Sequence, residues 1–244
     1  MKCVYKRPES LRPMGTPYCP GCYHALAQKL IAEVIDEMGL RGKAVYSGAI
    51  GCNGLGPLMA NYDSFTSLHG RAAAASTAAK MISPDSLIIT YQGDGDAASI
   101  GTAETIHTAR RGEPLTIIFA NNTLYGMTGG QLAPTTRVGQ KTTTTPNGSE
   151  YKPIHLAEII AQLDAPHFVT RCAIHTPKHI RTFKKAVAEG FRLQMEEKKY
   201  SFIEVLCACP TSGGVKPEDT PKYMEEIMIP EFPLGDLKRD GKRL

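Results

Sequence analysis

The chain has 244 residues, 42% of them apolar, enough to bury a full core and to favour one large domain over several small ones. Its 28 basic and 24 acidic residues leave a net charge of +4 with no block that would grip a nucleic-acid backbone, and the locally basic tail "LKRDGKRL" reads as a solvated end. The start "MKCVYKRPESLRPMGTP" has no apolar core of signal-peptide length, and no later run approaches the roughly 20 apolar residues of a membrane span. Seven cysteines, an odd number, argue against a secreted disulfide scaffold, so the expectation is a cytoplasmic protein, off the membrane, whose cysteines bind metal or do redox chemistry.

In chain order, "PYCPGCYHALAQ" comes first, with Cys19 and Cys22 two residues apart at the mouth of a helix. Taken alone, a redox disulfide, a zinc site and part of an iron-sulfur cluster are all open. Leu26, Leu30, Val34 and Met38, widened by Ala27, Ile31 and Ile35, predict a core-facing helix that starts just after Cys22 and ends at Gly39. "KAVYS" predicts a short strand, "GAIGCNGLGP" a glycine-rich loop, "RAAAASTAAKMI" a helix stopped by Ser83-Pro84, and "SLIITYQ" a buried strand. "GDGD" leads into a helix from about Ala97 to Arg111 and then the strand "PLTIIFANN", a right-handed βαβ unit in a parallel sheet.

Beyond a threonine- and glycine-rich stretch from Gly126 to Asn147 come a helix near His155 to Leu163, the strand "HFVTRCAI", a helix from about Lys178 to Glu197 and the strand "SFIEVLCA". The alternation predicts a doubly wound α/β domain over residues 1–212. The proline- and charge-rich extension, residues 213–244, shows little periodicity, which predicts that it wraps a partner or the domain surface and does not enter a core. No internal repeat is present.

In open parallel sheets, ligands sit beyond the carboxyl ends of the strands. Gly51, Cys52, Asn53, Gly93 to Asp96, and Asn121 with Asn122 all follow predicted strands. Glycine lets backbone approach a phosphate closely, yet Asp94 would repel a bare anion. A magnesium ion resolves the conflict, since it takes oxygen ligands from carboxylates and amides and shares phosphate oxygens. Neighbouring strand ends lie only about 5 Å apart, so Asp94 and Asn122 are within reach of one ion.

"GDG", 25 intervening residues and "NN" resemble the signature of thiamine diphosphate enzymes. "LHGRAAAA", "YQGDGDAASIGTAE" and "NNTLYGMTGGQLAPTT" resemble the thiamine-binding subunit of 2-oxoacid:ferredoxin oxidoreductases, over residues 17–212. The resemblance implies Mg2+ ligation by Asp94, the Asn122 side chain and the Leu124 carbonyl, with Gly95 and Asp96 at the cofactor diphosphate. Ile50, Gly51, Cys52, Asn53, His69, Gly126 and Met127 match the remaining thiamine-lining positions. It also implies a 4Fe-4S cluster on Cys19, Cys22, Cys52 and Cys209. Cys207 is an alternative to Cys209, and Cys3 and Cys172 are expected to be unliganded.

The implied reaction is oxidative decarboxylation of a 2-oxoacid to carbon dioxide and acyl-coenzyme A, with ferredoxin taking the electrons. "GQKTTTTPNG" resembles the branch acting on branched-chain 2-oxoacids such as 2-oxoisovalerate. A 2-oxoglutarate enzyme would want a base for the distal carboxylate, for which Arg137 and Lys141 are candidates. No residue suits the general base that activates thiamine. The resemblance places that glutamate on a larger alpha subunit, beside ferredoxin-like and gamma subunits, so the chain is expected to be inactive alone. A non-redox thiamine lyase would need no cluster cysteines, and a zinc-stapled module no thiamine. Tyr23, directly after Cys22, departs from the family pattern.

Overall fold

The computed structural model describes residues 5–244, so Cys3 lies outside the described residues. Among the described residues there are ten strands: β1 (Ala44–Gly48), β2 (Asp63–Thr66), β3 (Leu87–Gly93), β4 (Thr116–Asn121), β5 (Leu124–Tyr125), β6 (Gln131–Leu132), β7 (Phe168–Cys172), β8 (Ser201–Leu206), β9 (Gly235–Arg239) and β10 (Lys242–Arg243). Eight of them form one sheet in the order β10-β9-β7-β8-β4-β3-β1-β2, and β5 pairs with β6 apart from it. The six strands from β7 to β2 in that order run parallel, while β9 and β10 add an antiparallel edge.

Alternation along the central strands sets two apolar layers, as expected for a sheet covered on both faces. Leu87, Ile89 and Tyr91 of β3 with Ile118 and Ala120 of β4 face one core, and Ile88, Ile117 and Phe119 face the other. The first layer packs under α1 (Tyr23–Glu37), whose Ala27, Leu30, Ile31, Val34 and Ile35 are buried, and the second under the short helix Leu156–Gln162. Helix α1 starts directly after Cys22 and is closed by Gly39 at φ 66°, as its pattern predicts.

The chain leaves β1 for the edge strand β2, whereas β3 leads the opposite way to β4. The crevice between the carboxyl ends of β1 and β3 is therefore the switch point of the sheet, where open α/β folds bind ligands. The loop after Gly48 and the "GDGD" segment both open there. Strand β2 is absent from the sequence reading because "DSFT" is short, mostly exposed and without apolar alternation; its backbone pairing with β1 alone defines it.

Two further differences have local causes. The helix expected over Ala97–Arg111 is broken into Asp94–Ala98 and Thr102–Arg111. Gly101 lies at the break, where a Cβ would meet the Asp96 carbonyl oxygen at 1.9 Å and that of Gly70 at 2.5 Å. The long helix after β7 runs Pro177–Arg192 and ends in a wider π-turn, Leu193–Glu197.

The C-terminal extension corrects the expectation that it forms no core. Met224, Met228 and Phe232 are fully buried within the first layer, and β9 pairs with β7. Burial of each such side chain contributes about 1.5–3 kcal/mol. Tyr23 is part of this closure: it is buried, and its hydroxyl donates to Thr220 Oγ1 at 3.2 Å. Tyr23→Phe is expected to cost about 1 kcal/mol, read as a lowered urea midpoint with an unchanged slope. Among the described residues, no helix is long and apolar enough to cross a membrane.

Candidate functional site

A cavity of about 280 Å³ opens at the switch point. Its lining contains all of Ile50, Gly51, Cys52, Asn53, His69, Asp94, Gly95, Asp96, Asn122, Leu124, Gly126 and Met127. It also contains His24, Ser99, Tyr125 and Thr128, to which the sequence assigns no role. Ile50, Ile100 and Met127 stand half-exposed at its rim.

At its floor, three polar groups converge. Turned nitrogen-inward, the Asn122 amide donates to Leu124 O at 2.7 Å and to Asp94 Oδ2 at 2.9 Å. Turned oxygen-inward, the same positions hold three oxygens. Octahedral magnesium at about 2.0–2.1 Å sets neighbouring ligand oxygens about 2.9 Å apart, so the observed spacings fit that ion and the donor set is oxygen only. Asp94 is buried, and burial pushes its carboxyl up to about 7, only partly opposed by the Gly95 N–H, which donates to Oδ1 at 3.1 Å, and by the Thr135 hydroxyl, which donates to Oδ2 at 3.2 Å. A carboxylate so poor in solvation is poised to gain from a cation.

The turn that aims the Leu124 carbonyl is strained. Thr123 has φ 64°, a region that β-branched residues rarely enter. Its N–H donates to Asn121 Oδ1 at 3.1 Å, its carbonyl accepts from Thr136 Oγ1 at 2.6 Å, and its hydroxyl accepts from Gln140 Nε2 at 3.0 Å. Asn121 in turn donates to Glu204 at 2.8 Å, which Arg171 also holds at 2.8 Å. The two asparagines of "NN" thus divide the work: Asn121 fixes the turn and Asn122 faces the cavity.

Asp96 serves the protein with its carboxylate. It accepts from His69 Nδ1 at 2.6 Å, Gly70 N at 2.9 Å and Asn53 Nδ2 at 2.8 Å, tying two loops to one residue. His69 then lies over Gly95, with Cε1 3.2 Å from where a Cβ would stand. Gly95 therefore keeps the backbone there open to a ligand. Asp96→Asn places an amide against Asn53 Nδ2, and thiamine diphosphate affinity by calorimetry is expected to fall about 10–100-fold, the scale for outer-shell partners. His24 is buried, within 2.8 Å of the Tyr91 hydroxyl, and burial lowers it to about 4, so the ring is neutral at neutral pH.

The four cysteines gather on the same side. Cys19 and Cys22 turn tightly, with Cys22 N donating to Cys19 O at 3.1 Å. Cys52 lines the cavity, and Cys209 Sγ lies 3.1 Å from the position of a Cβ on Gly126. Cys22 interacts electrostatically with Cys19, Cys52 and Cys209, and Cys52 with Cys19 and Cys209. Burial pushes the Cys22 thiol up to about 12 and Cys52 to about 11. Cys207 and Cys172 are buried in the core. Arg137 and Lys141 do not line the cavity.

Comparison with known proteins gives the family. Residues 49–205 match the family described as thiamine pyrophosphate enzyme, C-terminal TPP binding domain. Ketoisovalerate oxidoreductase subunit VorA of Methanothermobacter thermautotrophicus is 40% identical over 239 residues, covering 96% of this chain and 50% of that protein. The chain thus spans about half the length of the VorA relatives it matches. The 2-oxoglutarate synthase subunit KorB of Archaeoglobus fulgidus is 34% identical over 226 residues, covering 93% of this chain and 82% of its own. Among solved structures, a 2-oxoglutarate:ferredoxin oxidoreductase from Magnetococcus marinus shares the fold, with TM-score 0.78 at 24% identity over 97% of this chain and 85% of that one. The chain belongs to the thiamine pyrophosphate enzymes, among the subunits of 2-oxoacid:ferredoxin oxidoreductases.

Proposed function

We propose that the chain is the thiamine diphosphate-binding subunit of a complex that oxidatively decarboxylates a branched-chain 2-oxoacid to acyl-coenzyme A and carbon dioxide, passing the electrons through a 4Fe-4S cluster to ferredoxin. The observation that carries it is an oxygen triad sized for magnesium in a cavity that Cys52 also lines, with Cys19, Cys22 and Cys209 close enough to Cys52 to interact with it. Bound there, thiamine diphosphate would supply the carbanion chemistry of decarboxylation and the cluster one-electron acceptance.

The chain's own residues bind and orient. Asp94, Asn122 and Leu124 O would hold Mg2+, and Asp96 positions His69 and Asn53 on the cavity wall. Cys19, Cys22, Cys52 and Cys209 would hold the cluster. Among the described residues, the one group of three or more metal-ligating atoms within 4.8 Å of one another lies elsewhere. Among the described residues, no three of the four sulfurs all lie within 4.8 Å of one another.

Among the described residues, no glutamate lines the cavity, and its two carboxylates are committed to the oxygen triad and to the loops. The glutamate that activates the cofactor therefore belongs to a larger partner subunit, which the half-exposed Ile50, Ile100 and Met127 would meet. Among the described residues, no lysine or arginine lines the cavity either, which supports an apolar substrate tail over a second carboxylate. Comparing kcat/KM for 2-oxoisovalerate, 2-oxoglutarate and pyruvate in the intact complex tests the reading. Preference for 2-oxoisovalerate is expected; preference for 2-oxoglutarate overturns the substrate assignment, and full activity of the chain alone overturns the need for a partner.

A further inference from the structure

We infer that His175, His179 and Glu225 form a divalent transition-metal site that staples the C-terminal extension to the domain. The three side chains offer one ligand atom each within 4.8 Å of one another. His179 lies in the first turn of the helix Pro177–Arg192, His175 just before its N-cap Thr176, and Glu225 in the π-turn Met224–Met228 of the extension. Nothing in the proposed reaction uses them, and none lines the cavity.

The ring geometry suits a ligand set. The imidazoles lie 4.5 Å apart between centroids, and His175 Nε2 stands 2.7 Å from Glu225 Oε1. Thr176 Oγ1 meets His179 Nδ1 at 2.9 Å, which fixes that ring and leaves Nε2 for a metal, as hydrogen bonds to the far nitrogen do in metal sites. The His175 side chain is fully buried, and its Nδ1 has no hydrogen-bond partner, so the polar capacity of that ring is only half used. Two neutral imidazoles and one carboxylate select borderline divalent ions such as zinc over magnesium or calcium. Glu225 is the exposed member and leaves room for water as a fourth ligand.

Such an ion would add a tie to the side-chain packing, the β9–β7 pairing and the Tyr23–Thr220 hydrogen bond that already hold the extension. The neighbours of Glu225 are the buried Met224 and Met228, and upstream Thr220 receives the hydroxyl of Tyr23, next to Cys22. Metal at this site would therefore hold down the segment that covers the start of α1.

The probe is Zn2+, added to the full chain with its partners, cluster loaded and Mg2+ in excess, and counted after gel filtration beside His179→Gln and Glu225→Gln. Both substitutions are at partly or fully exposed residues, and all three proteins share the same cysteines, so the difference reports this site alone. One more zinc per chain is expected in the unsubstituted protein. Amide exchange over residues 224–232 should slow about tenfold or more at saturating zinc, in the unsubstituted protein only. Equal zinc uptake by all three overturns the site, and extra zinc without slowed exchange overturns the staple.

Discussion

Asp94→Asn is expected to lower Mg2+ and thiamine diphosphate affinity by at least about 100-fold, since even outer-shell partners of a metal are worth 10–100-fold. The same change should make the metal-free protein more stable. Asp94 is buried and its carboxyl is raised to about 7 in the fold from an ordinary 3.8. Over that window the folded state binds more protons than the unfolded one, so metal-free stability falls as pH rises from about 3.8 and levels off above about 7. Holding the carboxyl at about 7 instead of 3.8 costs on the order of 4 kcal/mol. Thermal melts without metal at pH 5 and pH 8 check it: the advantage of Asp94→Asn should grow between them, and Mg2+ with cofactor should restore the unsubstituted protein most at pH 8. An advantage that shrinks with pH would contradict the burial argument.

Cys22→Ser should abolish the visible absorption of the cluster and 2-oxoacid-dependent dye reduction while leaving thiamine diphosphate binding within about twofold, because Cys22 does not line the cavity. Cys207→Ala should keep both. Cys207 is fully buried, and its backbone N–H extends the sheet by donating to Asn121 O at 2.8 Å, whereas Cys209 lies partly exposed beside Gly126. Cys207 does interact electrostatically with Cys22, so the pair of substitutions also decides which cysteine after β8 is the ligand. Loss of colour in Cys207→Ala with retention in Cys209→Ser would exchange their roles.

The central elements were legible because their periods are clear. Strands β3, β4 and β8 are apolar runs, and α1 carries its stripe at helical spacing. Glycine, aspartate and asparagine are ordinary turn residues, so the cavity was legible only through the pairing of GDG with NN on the next strand end and through the family resemblance. What stayed hidden depends on tertiary context. Thr135 and Thr136 support Asp94 and Thr123 from a distant loop, and no spacing announces that. Asp96 reads as a cofactor contact in sequence, yet its carboxylate faces the protein. In the extension, Met224, Met228 and Phe232 do recur every four residues, but the prolines and charges around them mask the pattern. Tyr23 becomes explicable only once Thr220, 197 residues away, is seen against it.

Central to the proposed function is a magnesium-thiamine site joined to an iron-sulfur site in one chain. Metal and acid-labile sulfide content of the anaerobically purified protein, read with its visible spectrum and its thiamine diphosphate content, tests that directly. About four iron and about four sulfide per chain, with one thiamine diphosphate per assembled site and no zinc on the cysteines, is the predicted result. A colourless protein that binds thiamine diphosphate, or one whose cysteines hold zinc, would contradict it.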